Sequence, residues 1–239
     1  MDTITASLAT IPGRVRALTQ TIESLYDQVD LIQVYLNGFG RRIPRVLSKG
    51  SKIRVFRSRE EPFGDRGDAG KFYRTQDHRG WRLVCDDDLV FPGDFMKVMI
   101  GKVESYERKC LVGTHGAILN ATLEDYYRDR TVIDRHHSRP DDVFVHVLAT
   151  NSMVFHSSTI TLTDRDFPLP NMADIWLALK AQEQKVGLVV AAAPGDWIPD
   201  ADYNANQSIY RRRYRRGGNA WMQTRFVQTR DDWRLWKPA

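Results

Sequence analysis

The chain has 239 residues, 42% of them hydrophobic and 27% charged, which suits one large α/β domain or one such domain with a small appendage. Its formal net charge of +5 favours polyanionic partners, namely nucleotide diphosphates, nucleic acid or the surface of an anionic membrane, without choosing among them. No apolar run approaches the roughly 20 residues of a membrane helix, and the N-terminus lacks a secretory signal pattern. These features argue against a synthase that threads its product through a bilayer, and they predict a cytoplasmic protein with at most peripheral membrane contact.

The first half of the sequence alternates between strand and helix patterns. Strand patterns occupy residues 3–10, 31–36, 53–56, 83–85 and 110–113, and helical spacing of apolar residues covers 15–26 and 92–106. Alternation of this kind predicts an α/β fold whose mostly parallel sheet is flanked by helices. In such sheets ligands bind beyond the carboxyl ends of the strands.

The second half is less regular. Residues 143–155 predict one or two strands, 173–184 a helix and 186–193 a further strand. After Pro199 the chain becomes polar and rich in arginine. The simplest interpretation is one domain over residues 1–200, followed by an irregular extension over 201–239 that packs on the site or closes it. Cys85 and Cys110 lie in apolar runs and are interpreted as reduced core residues.

The strongest local signal is an acidic triplet, Asp86-Asp87-Asp88, directly after an apolar strand. Adjacent like charges are unfavourable unless solvent or a cation compensates them. Mg²⁺ and Mn²⁺ prefer carboxylate oxygens, and in an extended backbone Asp86 and Asp88 point to the same side. The triplet therefore predicts a divalent cation site. The alternative is a solvated acidic turn, or carboxylates that cap the following helix.

An apolar strand that runs into an Asp-x-Asp triplet resembles the metal motif of GT-A glycosyltransferases, in particular family-2-like members. Three further segments resemble that family in the same order along the chain, namely residues 6–14, 34–38 and 67–72. Asp174, at the start of a predicted helix, falls where such enzymes carry an acidic residue, although the usual Glu-Asp pair is here Ala173-Asp174. The resemblance implies a GT-A fold and transfer of a sugar, as in hexosyltransferases, from a nucleotide diphosphate, most commonly UDP.

The resemblance also implies site residues. Asp86 and Asp88 would bind Mn²⁺ or Mg²⁺, and Asp174 would be the catalytic base of an inverting reaction. The donor nucleotide would be held by Thr10, Pro12, Arg14, Asn37, Asp68, Lys71, Asp86 and Asp87. The sequence offers no histidine after His156 as a third metal ligand, so the triplet and the diphosphate would hold the cation.

Each of these residues has a purely structural alternative. Asp174 is also what a first helical turn favours, through capping or the helix dipole. Arg14 is equally interpreted as a surface arginine beside Arg16, and Asp68 and Lys71 as an ordinary turn and a solvated helix face. His115 lies where acceptor contacts occur in the family, whereas His136-His137 is typical of a polar loop.

The arginine-rich segment at 211–216 admits three interpretations. Arg211 and Arg213 would contact the diphosphate if the segment folds over the donor. Basic residues beside Tyr210 and Tyr214 also suit the phosphates of a nucleic-acid acceptor. The third interpretation is a solvated basic face.

The acceptor is accordingly expected to be a glycan or a hydroxylated base in DNA. A nucleotidyltransferase or phosphohydrolase at the same cation site is a second hypothesis. It is disfavoured because only Ile11-Pro12-Gly13-Arg14 stands where a glycine-rich loop would be expected. A non-enzymatic module that binds nucleic acid through the arginine-rich segment is a third hypothesis.

Overall fold

Eleven strands form two sheets in the computed structural model, which describes residues 2–202 and 220–238. In chain order they are β1 (Ile4–Thr10), β2 (Leu31–Leu36), β3 (Ile53–Arg57), β4 (Trp81–Cys85), β5 (Cys110–Gly113), β6 (Gly116–Leu119), β7 (Arg130–Ile133), β8 (Val143–Phe144), β9 (Val147–Leu148), β10 (Ser152–His156) and β11 (Gly187–Val190). The four α-helices of the described residues are α1 (Val15–Leu25), α2 (Phe95–Ser105), α3 (Ala173–Gln184) and α4 (Ala220–Val227).

The main sheet has eight strands in the order β3-β2-β1-β4-β10-β5-β11-β8. The pairs β2–β3, β1–β2, β1–β4 and β5–β11 are parallel, whereas β10 is antiparallel to both β4 and β5. Strands β6, β7 and β9 form a smaller antiparallel sheet. The predicted α/β class, with a mostly parallel sheet flanked by helices, is confirmed.

Helices cover both faces of the main sheet. On one face, the apolar stripe of α1, which contains Leu18, Ile22 and Leu25, packs in one core cluster with residues of α2. On the other face, α3 contributes Ile175 and Leu177 to a second cluster. Because each strand sends alternate side chains to opposite faces, the two clusters share the same central strands. Burial of both faces explains why β4 is buried along its whole length.

Most predicted elements match the structure within a few residues. Strands β2 and β5 and helix α3 have the predicted bounds, and α2 begins at Phe95 because Pro92 to Asp94 form a turn before it. The predicted strand region at 143–155 is divided into three strands rather than one or two. Strands β6 and β7 and helix α4 were not predicted. Both cysteines are buried and free.

The parallel order around β1 determines where a ligand site forms. Strand β1 has β2 on one side and β4 on the other, both parallel to it. The chain runs from β1 through β2 to β3 on one side and then continues at β4 on the other side, so the strand order reverses at β1. A crevice opens at the carboxyl ends of strands where the strand order reverses. Residues that follow β1 and β4 therefore meet at one edge of the sheet. Over 2–202 and 220–238, no helix has the length and apolar character that a membrane span requires.

Candidate active site at the carboxyl edge of the sheet

The acidic triplet lies at this edge, directly after β4. Leu8 of β1 pairs with Cys85, the last residue of β4, so the loop after β1 lies beside the triplet. That loop continues through a short 3₁₀ turn at Pro12–Arg14. Arg14 thereby reaches the triplet although 73 residues separate it from Asp87.

Arg14 bridges two carboxylates of the triplet. One of its guanidinium nitrogens, Nη1, donates to Asp87 Oδ1 at 2.8 Å and to Asp88 Oδ2 at 2.7 Å. The expectation of an extended triplet is wrong, because the backbone turns at Asp87 and Asp88. This turn sends Asp87 inward, where its side chain is 4% exposed, and leaves Asp86 43% exposed.

The triplet carries more negative charge than its neighbours neutralise. Burial, the negative charge of Asp86 and that of Asp87 raise the pKa of Asp88 to about 7, against the opposing charge of Arg14. Burial also raises the pKa of Asp87, although the Arg14 charge and the Thr10 hydroxyl oppose this effect. A raised carboxyl pKa means that the site resists holding all its negative charges at once.

This charge fits a divalent cation with two carboxylate ligands. Asp86 Oδ1 and Asp88 Oδ2 accept hydrogen bonds from Lys71 and Arg14, and no hydrogen bond from a described residue reaches the other oxygen of either carboxylate. Within the described ranges, no group of three or more His, Cys, Asp or Glu side chains is arranged to hold a metal ion. The residues present therefore fit a cation whose remaining ligands come from water and phosphate, as Mg²⁺ commonly has.

Lys71 connects the triplet with the other side of the site. Its side chain is 3% exposed, and its ammonium donates to Asp86 Oδ1 at 2.6 Å and to the Thr150 carbonyl at 3.0 Å. Burial lowers the pKa of Lys71, but the charges of Asp86, Asp68 and Asp174 more than reverse that effect and raise it. Lys71 is thus a buried cation rather than part of a solvated helix face.

Asp174 lies in the first turn of α3 but does not cap that helix. Its Oδ1 accepts hydrogen bonds from the Thr150 amide at 2.8 Å and from the Thr150 hydroxyl at 2.6 Å. No described residue donates to its Oδ2. Because Thr150 also accepts from Lys71, a continuous chain of contacts runs from Asp86 through Lys71 and Thr150 to Asp174.

Asp68 holds the segment Gly67–Phe72 against the start of α3. Its Oδ2 accepts from the Ala173 amide at 3.0 Å, while its Oδ1 is buried and has no hydrogen-bond partner. Burial raises the pKa of Asp68 to about 6, with the Lys71 charge opposing the rise. Gly67 has a φ of +51°, a left-handed backbone conformation that favours glycine, so a side chain there would strain the backbone.

Asn37 is committed to the protein backbone. Its amide nitrogen donates to the Gly67 carbonyl at 2.8 Å, and its Oδ1 accepts from the Arg66 amide at 3.0 Å. It therefore positions the segment that carries Asp68 and Lys71.

Thr10 ends β1 in a buried position, and Pro12 is exposed in the turn that brings Arg14 to the triplet. Nucleotide contact by Thr10, Pro12 and Asn37 stays a prediction.

A cavity of about 250 Å³ lies between this edge and the smaller sheet. Asp68, Lys71 and Asp86 line one side of it, and Asp174 lines it as well. The opposite wall includes His115, Tyr126, Tyr127, Arg130 and Val132. The structure thus brings Asp86, one of the two predicted metal residues, and Asp174, the predicted base, to the same cavity.

Among the residues of this second wall, His115 was a candidate from the sequence, whereas Tyr126, Tyr127 and Arg130 were not predicted. Burial lowers the pKa of His115, against the charges of Asp134 and Asp174. The missed residues lie on β7 and the loop before it, in the irregular half of the sequence. A signal was present, because two tyrosines precede Arg130 by three and four residues in an otherwise polar stretch.

Arg211 and Arg213 lie outside the described residues. The described parts on either side of that stretch border the site. Ala201 donates its amide to the Asp88 carbonyl at 2.7 Å, and Gln223 of α4 accepts from the Tyr127 hydroxyl at 2.6 Å.

Comparisons with known proteins give only distant structural likenesses. Neither protein-family models nor curated proteins give a significant match to the sequence. Glucosyl-3-phosphoglycerate synthase from Mycobacterium tuberculosis, in complex with Mn²⁺, UDP-glucose and phosphoglyceric acid, is 18% identical with a TM-score of 0.37. The match covers 47% of this chain and 43% of that one, so the chain spans less than half of that enzyme.

A complex of the same enzyme with Mn²⁺, UDP and glucosyl-3-phosphoglycerate is 19% identical, with a TM-score of 0.38 over 47% of this chain and 43% of that chain. The 4-diphosphocytidyl-2C-methyl-D-erythritol synthase from Anaerococcus prevotii is 10% identical, with a TM-score of 0.47 over 82% of this chain and 90% of that chain. At TM-scores below 0.5, function has to be argued from the site.

Proposed function

We propose that the protein is a metal-dependent GT-A glycosyltransferase that transfers a sugar from a nucleotide diphosphate to an acceptor hydroxyl. The proposed nucleotide is UDP, and the reaction inverts the configuration at the anomeric carbon. One observation carries the proposal. Asp86 of the acidic triplet and Asp174 line the same cavity at the switch point of a doubly wound sheet. Sugar transfer needs a site for diphosphate charge beside a base for the acceptor, and this cavity offers both.

The donor diphosphate is assigned to the triplet. Asp86 and Asp88 would hold Mn²⁺ or Mg²⁺, which would supply positive charge for the diphosphate leaving group. Arg14 lies against the same carboxylates and supplies a guanidinium for phosphate. Asp87, Asp68 and Lys71 are assigned to the nucleotide side of the site, with Thr10, Pro12 and Asn37 shaping its floor. Arg211 and Arg213 are proposed as further phosphate contacts, since Ala201, near the start of their stretch, contacts Asp88.

Asp174 is assigned as the base. Thr150 fixes one carboxylate oxygen by two hydrogen bonds, which leaves the other oxygen to accept a proton from the acceptor hydroxyl. A base held in one orientation by protein donors is what proton abstraction requires. The acceptor is assigned to the cavity. Residues 1–200 are proposed to form the transferase domain, and residues 201–239 an extension at the site. The enzyme is proposed to be cytoplasmic.

Isothermal titration of UDP, with and without Mn²⁺, tests the donor assignment. We expect binding that requires Mn²⁺ and that weakens by at least about tenfold, or roughly 1.4 kcal/mol, in Asp88→Asn. Asp94→Asn is the matched control, because Asp94 is exposed and lies outside the triplet. Metal-independent binding, or equal loss in both variants, would remove the donor site from the triplet.

Asp174→Asn tests the base. We expect transfer to fall by about 100-fold or more while Mn²⁺-dependent UDP binding is retained. Glu183→Gln, on an exposed position of the same helix, is the control and should leave both unchanged. Retained turnover in Asp174→Asn would assign the base elsewhere.

One screen in two steps identifies the donor sugar nucleotide and the acceptor. A panel of nucleotide sugars is first tested for Mn²⁺-dependent hydrolysis, and the active donor is then offered glycan and hydroxylated-DNA acceptors. The anomeric configuration of the product, read by NMR, tests inversion. Nucleotide release without sugar transfer to any acceptor would instead favour a phosphohydrolase.

A further inference from the structure

Arg130 lines the cavity without an acidic partner. No Asp or Glu among the described residues lies within 4.0 Å of its guanidinium, and its Nε is buried without a hydrogen-bond partner. Its neighbour Arg128, by contrast, has Asp125 at 3.8 Å and a side chain that is 74% exposed. Since a buried or half-buried cation is normally paired, a guanidinium without a described acidic partner is suited to bind an anionic ligand.

Two tyrosine rings hold the guanidinium in place. The Arg130 Cζ atom lies 4.2 Å from the centre of the Tyr126 ring and 4.7 Å from that of Tyr127. The two rings pack edge to face, with centres 5.0 Å apart. A guanidinium stacked on aromatic faces keeps its in-plane N–H donors available. Burial raises the pKa of Tyr126, and the Arg130 charge opposes the rise.

The tyrosine platform is itself fixed to the fold. The Tyr127 hydroxyl donates to Gln223 Oε1 at 2.6 Å, and Gln223 donates in turn to the Asn171 carbonyl at 3.2 Å. Arg130 begins β7 and pairs with Leu119 of β6. The guanidinium is therefore held by a sheet and by a helix contact, and little side-chain freedom remains to be lost when a ligand binds.

The other cation on the cavity wall is already neutralised. Lys71 contacts Asp86 at 2.6 Å, so an anion that enters the cavity meets Arg130 as the cation without an acidic partner. Arginine recognises carboxylate and phosphate through two parallel N–H···O bonds. A cavity of about 250 Å³ suits one sugar-sized group.

We infer that Arg130, on its Tyr126 and Tyr127 platform, is a subsite for an oxyanion carried by the acceptor. This inference rests on the proposed function, because only a transferase has an acceptor. The substrate class is then a sugar or similar polyol that carries a phosphate or a carboxylate near the hydroxyl to be glycosylated. Asp174 and Arg130 line the same cavity, so the acidic group anchors the acceptor while the hydroxyl faces the base.

A matched series of hexoses tests the subsite without any donor. Glucose 6-phosphate, glucuronate and glucose are titrated into the full chain, and binding is followed by isothermal titration or NMR. We expect at least one of the two anionic sugars to bind tenfold or more tightly than glucose. Preference for the phosphate or for the carboxylate identifies which oxyanion the subsite takes.

Three variants assign the preference to the guanidinium. Arg130→Met keeps an apolar side chain on the tyrosines and should abolish the tenfold preference for the anionic sugar. Arg130→Lys should retain only part of that preference, because an ammonium cannot form the two parallel N–H···O bonds of a guanidinium. Arg128→Met removes the same charge two residues away and should change the preference by less than twofold.

Equal binding of all three sugars to the wild type, or an unchanged preference in Arg130→Met, would overturn the subsite. Mn²⁺-dependent UDP binding is measured in the same samples and should be unaffected by Arg130→Met. Failure of UDP binding in the wild type would instead count against the proposed function, and the sugar titrations would still report on Arg130.

Discussion

The two walls of the cavity differ in how their cationic side chains are paired. The acidic wall, formed by Asp68, Lys71 and Asp86, places its cation against a carboxylate at 2.6 Å. The tyrosine wall, formed by Tyr126, Tyr127 and Arg130, places its cation on aromatic rings, with no described acidic side chain within 4.0 Å. Lys71 therefore serves to hold the site together, whereas Arg130 remains available to a ligand.

The largest expected effect is the difference in stability between removing these two cations. Lys71→Met leaves Asp68, Asp86 and Asp174 without their shared counter-charge, so we expect the free energy of unfolding to fall by about 2–4 kcal/mol. This loss is smaller than is usual for a broken buried pair because the Asp86 side chain is 43% exposed. Arg130→Met leaves no paired acid behind and should cost less than about 1 kcal/mol. Urea unfolding monitored by circular dichroism measures both.

Lys49→Met is the control for loss of a lysine. Lys49 contacts Glu23 at 3.1 Å, but both side chains are more than half exposed, so the change should cost less than about 0.5 kcal/mol. Equal costs for Lys71→Met and Arg130→Met would contradict the distinction between the two walls.

A smaller effect concerns how the acidic wall is positioned. A Cβ at Gly70 would lie 2.6 Å from Tyr35 Cδ1, and the buried Tyr35 is held by its hydroxyl, which donates to the Gly64 carbonyl at 2.7 Å. Since the ring has little freedom to move, Gly70→Ala should cost about 1–3 kcal/mol and displace Lys71.

Thermal and urea unfolding measure that cost, and UDP titration shows whether the donor side moved. Gly93→Ala is the matched control, because a Cβ there meets no atom within 4 Å. If both alanine variants were equally stable, close packing against Tyr35 would not be what positions the wall.

The smallest expected effect is a change in the pH dependence of stability. The pKa of Asp68 is raised from 3.8 to about 6 in the folded protein, chiefly by burial. The folded state therefore holds this proton more tightly than the unfolded state, and its contribution to stability is lost as pH rises from about 4 to 6. Asp68→Asn removes this loss. Relative to wild type, the variant should gain about 2 kcal/mol between pH 4 and pH 7.

Urea unfolding at several pH values between 4 and 7 measures this difference. Asp65→Asn serves as the control, because Asp65 is exposed and the change should alter the slope by less than about 0.3 kcal/mol per pH unit. A parallel pH profile for Asp68→Asn and wild type would mean that burial does not shift the pKa of Asp68.

The regular half of the fold could be predicted because its signals are local. Strands β2 and β5 are apolar runs with clear ends, and the bounds of α3 coincide with the predicted residues 173–184. Strands β6 and β7 have four residues each and carry weak patterns, so their pairing depends on long-range contacts that periodicity does not contain. Those strands carry the tyrosine wall, which is why Arg130 was missed.

The types of residue in the candidate site could be predicted from the sequence, but the contacts between them could not. The triplet and Asp174 stand out because carboxylates follow a buried strand or begin a helix. The contacts of Arg14 with Asp87 and Asp88 join positions 73 and 74 residues apart, and the turn within the triplet replaces the expected extended backbone. Asn37 matched a nucleotide-binding pattern, yet its amide holds the backbone of Arg66 and Gly67.

The reversed direction of β10 has a consequence for the spacing between the acidic triplet and Asp174. An antiparallel strand reaches the carboxyl edge of its parallel neighbours with its first residues, so Thr150 and Asn151 arrive beside Asp86, whose amide donates to the Asn151 carbonyl at 3.0 Å. The pairing of Ser152 with Cys85 therefore determines how far Asp174 lies from the triplet. A slip of one residue would move Thr150 by about 3.3 Å and turn the β10 side chains to the opposite face. The spacing between the acidic triplet and Asp174 is thus set by the register of one five-residue strand.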